Sequence, residues 1–314
     1  MKNFDIAASM SMTKETRESM LSWLTDISSI VHDDMNSDRN CGRNESFELE
    51  QLVSIIREMF YDEVTVIITS SGAEANAIAL KQKSSWSGTK DSHFSAIKDL
   101  KDNSLNFTYP LISNISGSIN THIRTSGQYI HVDACQALGK LPLNNVDFDS
   151  MSISAHKIGG PKGIGALIIK NKKDFSPLIN GYQQDCLRGG TISPLLCAGF
   201  TSALKQMNVK DDAVRLKSRR NIITSMIPVY LGKDIIDLNK GDNFYDGILI
   251  LGGFKDSKNM VSDMEKAGYK VTTRKEIDSY FNQRENSTIR LSFSSAYEPN
   301  IFSDVAFKLA TLNK

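Results

Sequence analysis

The chain has little cysteine and nothing organised around it. Its four cysteines, Cys41, Cys135, Cys186 and Cys197, make no C-x-x-C pair and no zinc-ligand spacing. That argues against a disulfide-stapled secreted domain and against a metal site. The thiols read as free, in a reducing compartment, the cytoplasm. Long apolar runs are missing too: none approaches the roughly 20 residues of a membrane span. The amino terminus, "MKNFDIAASMSMTKETRES", lacks the continuous apolar core of a signal peptide. Charge of one sign is absent, since the formal net charge is +1, so there is no global electrostatic case for a nucleic acid or a membrane surface. Internal repeats and low-complexity segments are also lacking. What is there is ordinary: 40% hydrophobic and 23% charged residues over 314 positions, enough for one large domain and a smaller one.

The first two-thirds alternate strand-like and helix-like stretches. "FELEQLVSIIREMF" (47–60) places its apolar residues mainly on one helical face, with Ser46 as N-cap. "VTVIIT" (64–69) is a β-branched strand, and "SSGAEANAIALKQK" turns through Gly72 into an alanine-rich helix. "GQYIHVDAC" (127–135), "FDSMSISAHK" and "GIGALIIK" are further strands. Alternation of this kind predicts an α/β fold with parallel pairs, and near-continuous apolar strands predict a sheet covered on both faces. After about residue 205 the texture changes. One long polar-faced helix, "ALKQMNVKDDAVRLKSRRNIITSMI", precedes a small α+β unit. The expected division is a large domain over 13–227 and a small one over 228–314 that also takes in 1–12.

Three features carry chemistry. The "SSGAEAN" turn presents backbone N–H groups and the positive end of a helix dipole, which suits a phosphate. Asp133 ends a strand, where α/β sheets hold ligands, and its carboxylate would suit a protonated ring nitrogen. Lys157 also ends a strand, just after Ser154 and His156; a partly desolvated lysine loses pKa and becomes an amine able to form a Schiff base. Each has a bland counterpart: a common strand–helix turn, an N-cap for a helix in "ACQALGK", a surface lysine before a turn. Together, and in this order, they are what pyridoxal phosphate requires.

"TSSGAEAN", "HVDACQALGK" and "SISAHKIGGPKGIGAL" resemble the class V aminotransferase family, and its cysteine desulfurase branch in particular. "FDIAAS", "SHFSA", "SNISG", "GYQQDCLRGGT" and "IRLSFSS" resemble further family motifs in family order, so the likeness spans nearly the whole chain. The resemblance implies the pyridoxal-phosphate fold type I, an α/β large domain with a mainly parallel sheet and a small α+β domain, and a homodimer with the active site at its interface. It implies pyridoxal 5'-phosphate as cofactor, with Lys157 as Schiff-base lysine and proton shuttle. Asp133 would pair with the ring nitrogen, Gln136 would bond the ring hydroxyl oxygen, and His93 would stack on the ring. Gly72 and Ala73 would bind the phosphate with Ser154 and His156, and Thr191 would reach the phosphate of the neighbouring subunit. Asn114 would lie near the ring hydroxyl and the substrate. Arg290 would clamp the carboxylate of a small amino-acid substrate, for which its planar fork is suited.

Three departures from the family stand out. The desulfurase branch needs a nucleophilic cysteine on a mobile loop before the carboxy-terminal arginine, and no cysteine follows Cys197 here. Cys186 is a candidate substitute. The stretch between His93 and Asn114 is short enough to have lost a strand–helix unit, and Ala73 replaces the usual threonine of the phosphate cup. The expected activity is therefore that of a desulfurase-like enzyme acting on an amino acid or amino-acid-like group. The alternatives are a transaminase or decarboxylase, including one acting on an aminoacyl-modified nucleobase of phage DNA, and a cofactor-binding partner protein without turnover.

Overall fold

Strands form where aliphatic and β-branched residues run together. The computed structural model describes residues 1–30, 43–61, 63–89, 91–92, 104–173 and 175–313, and these pack as two compact units. The larger unit comprises Met10–Leu111 and His122–Met207. Its sheet has the order β2-β7-β6-β5-β4-β3, from β2 (Thr65–Thr69), β3 (Ser87–Gly88), β4 (Phe107–Pro110), β5 (Ile130–Asp133), β6 (Ser150–Ser154) and β7 (Gly165–Ile169). The pairs β3–β4, β4–β5 and β5–β6 are parallel; β6–β7 and β7–β2 are antiparallel. Two reversals return β2 to the direction of β5 and β6, so all three strands end on the same side of the sheet.

Every residue of β5, β6 and β7 is buried, as continuous apolar strands require when both faces are covered. The helix Gly72–Lys81 lies across β5, β6 and β7; Ala75, Ile78 and Ala79 close a core with Ile67, Leu167 and Ile169. The small alanines let this helix approach the sheet closely. The helix Pro194–Lys205 packs against both Lys14–Ile30 and Arg43–Arg57.

The smaller unit comprises Met1–Ser9, Ile112–Thr121 and Asn208–Lys314. It holds an antiparallel sheet of order β11-β9-β8, from β8 (Ile236–Asp237), β9 (Ile248–Gly252) and β11 (Ile289–Ser292). β1 (Lys2–Asn3) pairs in parallel with β10 (Tyr269–Lys270). Phe4 is fully buried in this unit's core, where its ring meets Tyr297 and Phe302 edge-on, at 5.5 and 5.7 Å between centroids.

The structure moves several expected boundaries. The division expected at 227/228 falls at 208, because the helix Val209–Met226 packs on Pro299–Leu312. Its buried Arg220 donates to both carboxylate oxygens of Asp237 at 2.9 Å and to the Ile248 carbonyl at 2.7 Å. The amino-terminal contribution ends at Ser9 rather than at residue 12, and Ile112–Thr121 joins the same unit. The single long helix expected after residue 202 is two helices, Pro194–Lys205 and Val209–Met226, with the Asn208 side chain capping the second at Asp211 N. The helix expected from residue 47 starts at Arg43, so Ser46 lies inside it and is not its cap. "ACQALGK" forms a run of turns rather than a helix.

Candidate functional site: a cofactor cradle at the strand ends

β6 and β7 are adjacent and antiparallel, so a reversal must join them, and Lys157 lies in it. Ser154 ends β6, Ala155–Lys157 forms a 3-10 turn, and glycines complete the return. Gly159 and Gly163 have φ of 82° and 93°, which side chains rarely adopt. A Cβ on Gly160 would lie 2.9 Å from both the Ala155 Cβ and its carbonyl oxygen. The reversal is pinned from outside by Met10 N to the His156 carbonyl at 3.0 Å and Thr13 N to the Gly159 carbonyl at 3.2 Å. The glycine-rich stretch thus holds a half-buried lysine at the end of a buried strand.

β2 ends beside this turn. Ser71 caps the helix Gly72–Lys81, accepting from Glu74 N, while Glu74 accepts from Ser70 N at 2.5 Å. Arg188 grips the same Glu74 with Nε and Nη2 at 3.0 and 3.3 Å. Burial would raise the Glu74 carboxyl, but Arg188 and Ser70 outweigh it and hold it below its ordinary range. The first-turn N–H groups at Gly72 and Ala73 have no acceptor within the helix. Gly72 is buried tight against Cys135: a Cβ there would lie 2.3 Å from the Cys135 Sγ. Only glycine lets this backbone close over the end of β5. Ala73 is exposed beside it.

Asp133 ends β5, 7% exposed, and its two oxygens are taken separately. Oδ1 accepts from Cys135 N at 3.0 Å and Oδ2 from Asn76 Nδ2 at 2.8 Å. Asn76 Oδ1 in turn meets His131 Nε2 at 2.9 Å and accepts from Ser152 Oγ. His131 Nδ1 lies 2.9 Å from Ser150 Oγ. Burial lowers the His131 imidazole to about 4 against the raising influence of Asp133, so it is neutral at ordinary pH.

Ser154 and His156 flank the lysine. Burial lowers His156 to about 4, and Lys157, Lys162 and Lys140 add to it by repulsion. Three lysines thus surround a half-buried imidazole. Lys140 also donates to Gln136 Oε1 at 2.9 Å, so the Gln136 amide nitrogen is that side chain's donor end. Thr191 is exposed and lines a small cavity with Ser70, Gly163 and Arg188, of about 130 Å³.

These residues fit pyridoxal phosphate. The glycine-walled helix start and the lysines near His156 suit a phosphate dianion. Asp133 offers a carboxylate already oriented by N–H donors, and Lys157 offers the amine. Ser154, His156, Lys157, Asp133, Gln136, Gly72, Ala73 and Thr191 all belong to the larger unit. His93 lies outside the described residues.

The structure puts Asn114 and Arg290 in the smaller unit. Arg290 is 1% exposed; its Nη2 meets Asp5 Oδ1 at 2.6 Å and its Nη1 donates to the Asn114 carbonyl. Its Nε is buried without a hydrogen-bond partner. Burial lowers the guanidinium pKa, and Asp5 resists that. The stretch before β11, where the family resemblance expects a mobile loop, holds a short helix, Lys275–Tyr280. Ile277 is fully buried, and Asp278 accepts from Asn286 N, Thr288 N and Thr288 Oγ1 at 2.8, 3.0 and 2.6 Å. Those bonds tie the segment down. Among the described cysteines, Cys135 is pushed well up by burial and by Asp133, and Cys197 to about 12 by burial and Glu48. Cys186 alone of the three is exposed; it follows Gln184 and Asp185, and all three have positive φ.

The comparisons agree with this geometry. A sequence profile described as Aminotransferase class-V matches residues 95–186. The cysteine desulfurase IscS of Buchnera aphidicola is 25% identical over 317 aligned positions, spanning 80% of this chain and 77% of that protein. The mitochondrial cysteine desulfurase of Saccharomyces cerevisiae is 44% identical over 89 residues, which are 27% of this chain and 18% of that one. The chain is similar to the class V aminotransferase family, and to its cysteine desulfurase branch in particular. That similarity indicates an enzyme of the pyridoxal-phosphate-dependent kind, with the reaction left open. The crystal structure of a NifS-like protein from Rickettsia africae superposes with a TM-score of 0.85 at 18% identity, covering 99% of both chains, which shows the fold type I architecture.

Sequence reasoning missed Asn76, His131 and the Glu74–Arg188 pair. Asn76 carries a signal in hindsight: asparagine is a poor helix former, and this one occupies a helix interior among alanines. The Glu74–Arg188 pair carries none, since 114 residues separate the two.

Proposed function

We propose that the chain binds pyridoxal phosphate on Lys157 and catalyses bond-breaking at the α-carbon of an amino acid or amino-acid-like group. The observation that carries this reading is the convergence, at the ends of β2, β5 and β6, of an unfilled helix start at Gly72–Ala73, the oriented carboxylate of Asp133 and the half-buried Lys157. The cofactor, when bound, supplies an electron sink for the charge left at the α-carbon. Gly72 and Ala73 N–H groups bind the phosphate, with Ser154, His156 and, from a neighbouring subunit of a homodimer, Thr191. Asp133 takes the ring N–H and Gln136 the ring hydroxyl oxygen. Lys157 holds the cofactor at rest and moves the proton at the α-carbon. For the substrate carboxylate the family resemblance points to Arg290.

Within that class, two observations bear on sulfur transfer. The segment before β11 is a tied-down helix with no cysteine, and the one exposed described thiol is Cys186. A desulfurase reading therefore depends on Cys186 or on a partner's thiol to accept sulfur. The competing transaminase or decarboxylase reading needs no thiol, and the tied-down segment favours it. The test is absorbance on adding pyridoxal phosphate to wild type and to Lys157→Ala, followed by a sulfide assay with L-cysteine and reductant. A visible band in wild type alone is expected. No band in wild type would overturn the reading, and sulfide that persists in Cys186→Ser would remove Cys186 from it.

A further inference from the structure

The Asp133 carboxylate is backed by a chain of buried polar groups that fixes which way the Asn76 amide faces. An ionised carboxylate only accepts, so Asn76 must present its Nδ2 to Asp133. Its Oδ1 then faces His131 and Ser152, and both must donate to it. His131 therefore donates from Nε2, and its Nδ1 lies against Ser150, 2.9 Å from the hydroxyl. His131 and Ser152 both donate toward Asn76, and Asn76 toward Asp133. Asn76 is 1% exposed, and His131, Ser150 and Ser152 are fully buried. The Trp86 ring closes the far side of His131, edge-on at 6.3 Å between centroids. A flipped Asn76 would set its carbonyl against a carboxylate and its amide against two donors. Aligned bonds in such a dry site reinforce one another.

We propose that Asn76 is a positioning residue for the cofactor's ring nitrogen. Held in one amide orientation by His131 and Ser152, it turns the Asp133 carboxylate to receive the ring N–H. The proposal rests on the pyridoxal-phosphate reading above. The plainer alternative is that Asn76 only fastens its helix to β5 and β6. The two differ in what they do to one atom of the ligand.

The experiment compares binding of pyridoxal phosphate and of its carbocyclic analogue, in which carbon replaces the ring nitrogen. Affinities are measured by fluorescence quenching for wild type, Asp133→Asn, Asn76→Leu and Ser152→Ala, with thermal melting of each apoprotein. Wild type should prefer the nitrogen-containing ligand, and Asp133→Asn should lose most of that preference. Asn76→Leu should reduce it about tenfold, the scale of one charge-assisted hydrogen bond. Ser152→Ala, which keeps the amide and loses one of its holds, should reduce it about threefold with little change in melting. A fastening role predicts that both ligands weaken by the same factor, so an unchanged preference in the variants overturns the proposal. If Asn76→Leu does not fold, Ser152→Ala decides alone. Wild type that binds both ligands without preference overturns the proposal and leaves the cofactor reading standing; wild type that binds neither overturns both.

Discussion

Replacing Gly72 with alanine should destabilise the protein, and Cys135→Ala should relieve the damage. The added Cβ would lie 2.3 Å from the Cys135 Sγ, more than an ångström inside ordinary contact. The thiol does not swing away without loss, because it sits against Asp133 and Ser152 while its backbone N–H holds Asp133 Oδ1. Overpacking of this kind costs about 1–3 kcal/mol. Removing Sγ leaves the Cys135 and Ser154 Cβ atoms at 3.7 and 3.3 Å from the new methyl, which the site can accept with a small adjustment. The φ of Gly72 is not in the left-handed region, so alanine carries no backbone penalty there. Urea denaturation of wild type, both single variants and the double variant gives the cycle. The expected coupling is about 1–2 kcal/mol in favour of the double variant. Additive effects, or a harmless Gly72→Ala, would refute the close approach of the cup to the end of β5.

Two further outcomes follow from buried polar groups. His131 takes up a proton at about 4 in the folded chain against 6.5 when unfolded, so the unfolded state binds more protons between those values. Stability should be fully present above about pH 6.5 and fall as pH drops toward 4, by up to about 3 kcal/mol from this residue. Urea melts across that window should show a shallower slope for His131→Gln, and an unchanged slope would contradict the assignment. In the smaller unit, Arg220→Met should cost about 3–5 kcal/mol, because it takes the guanidinium from the half-buried Asp237 carboxylate and from the Asn239 carbonyl. A thermal shift of only a degree or two would show that the network is dispensable.

How far the site could be read in advance depended on the range of the contacts. The placement of Gly72, Asp133 and Lys157 at or just past strand ends was legible because strands show as short apolar runs. The β6–β7 turn was legible because positive φ and close backbone approach select glycine. Helix limits were less so: Arg43 begins its helix, and residues 206–208 interrupt the one expected to be continuous, through an Asn208 cap that outweighs the polar periodicity on either side.

By itself the sequence determined the fold class, the order of the cofactor motifs and the absence of a loop cysteine after Cys197. These follow from local periodicity, turn chemistry and composition. Tertiary structure alone decided that the helix Val209–Met226 joins the smaller unit and that Arg290 meets Asp5 across 285 residues. It also decided that Asn76 meets Asp133 across 57 residues, and that the segment before β11 is tied down by Asp278. Such pairings are set by which buried polar group finds its partner when the chain closes. That depends on the whole packing, because no local pattern encodes the far end of a hydrogen bond.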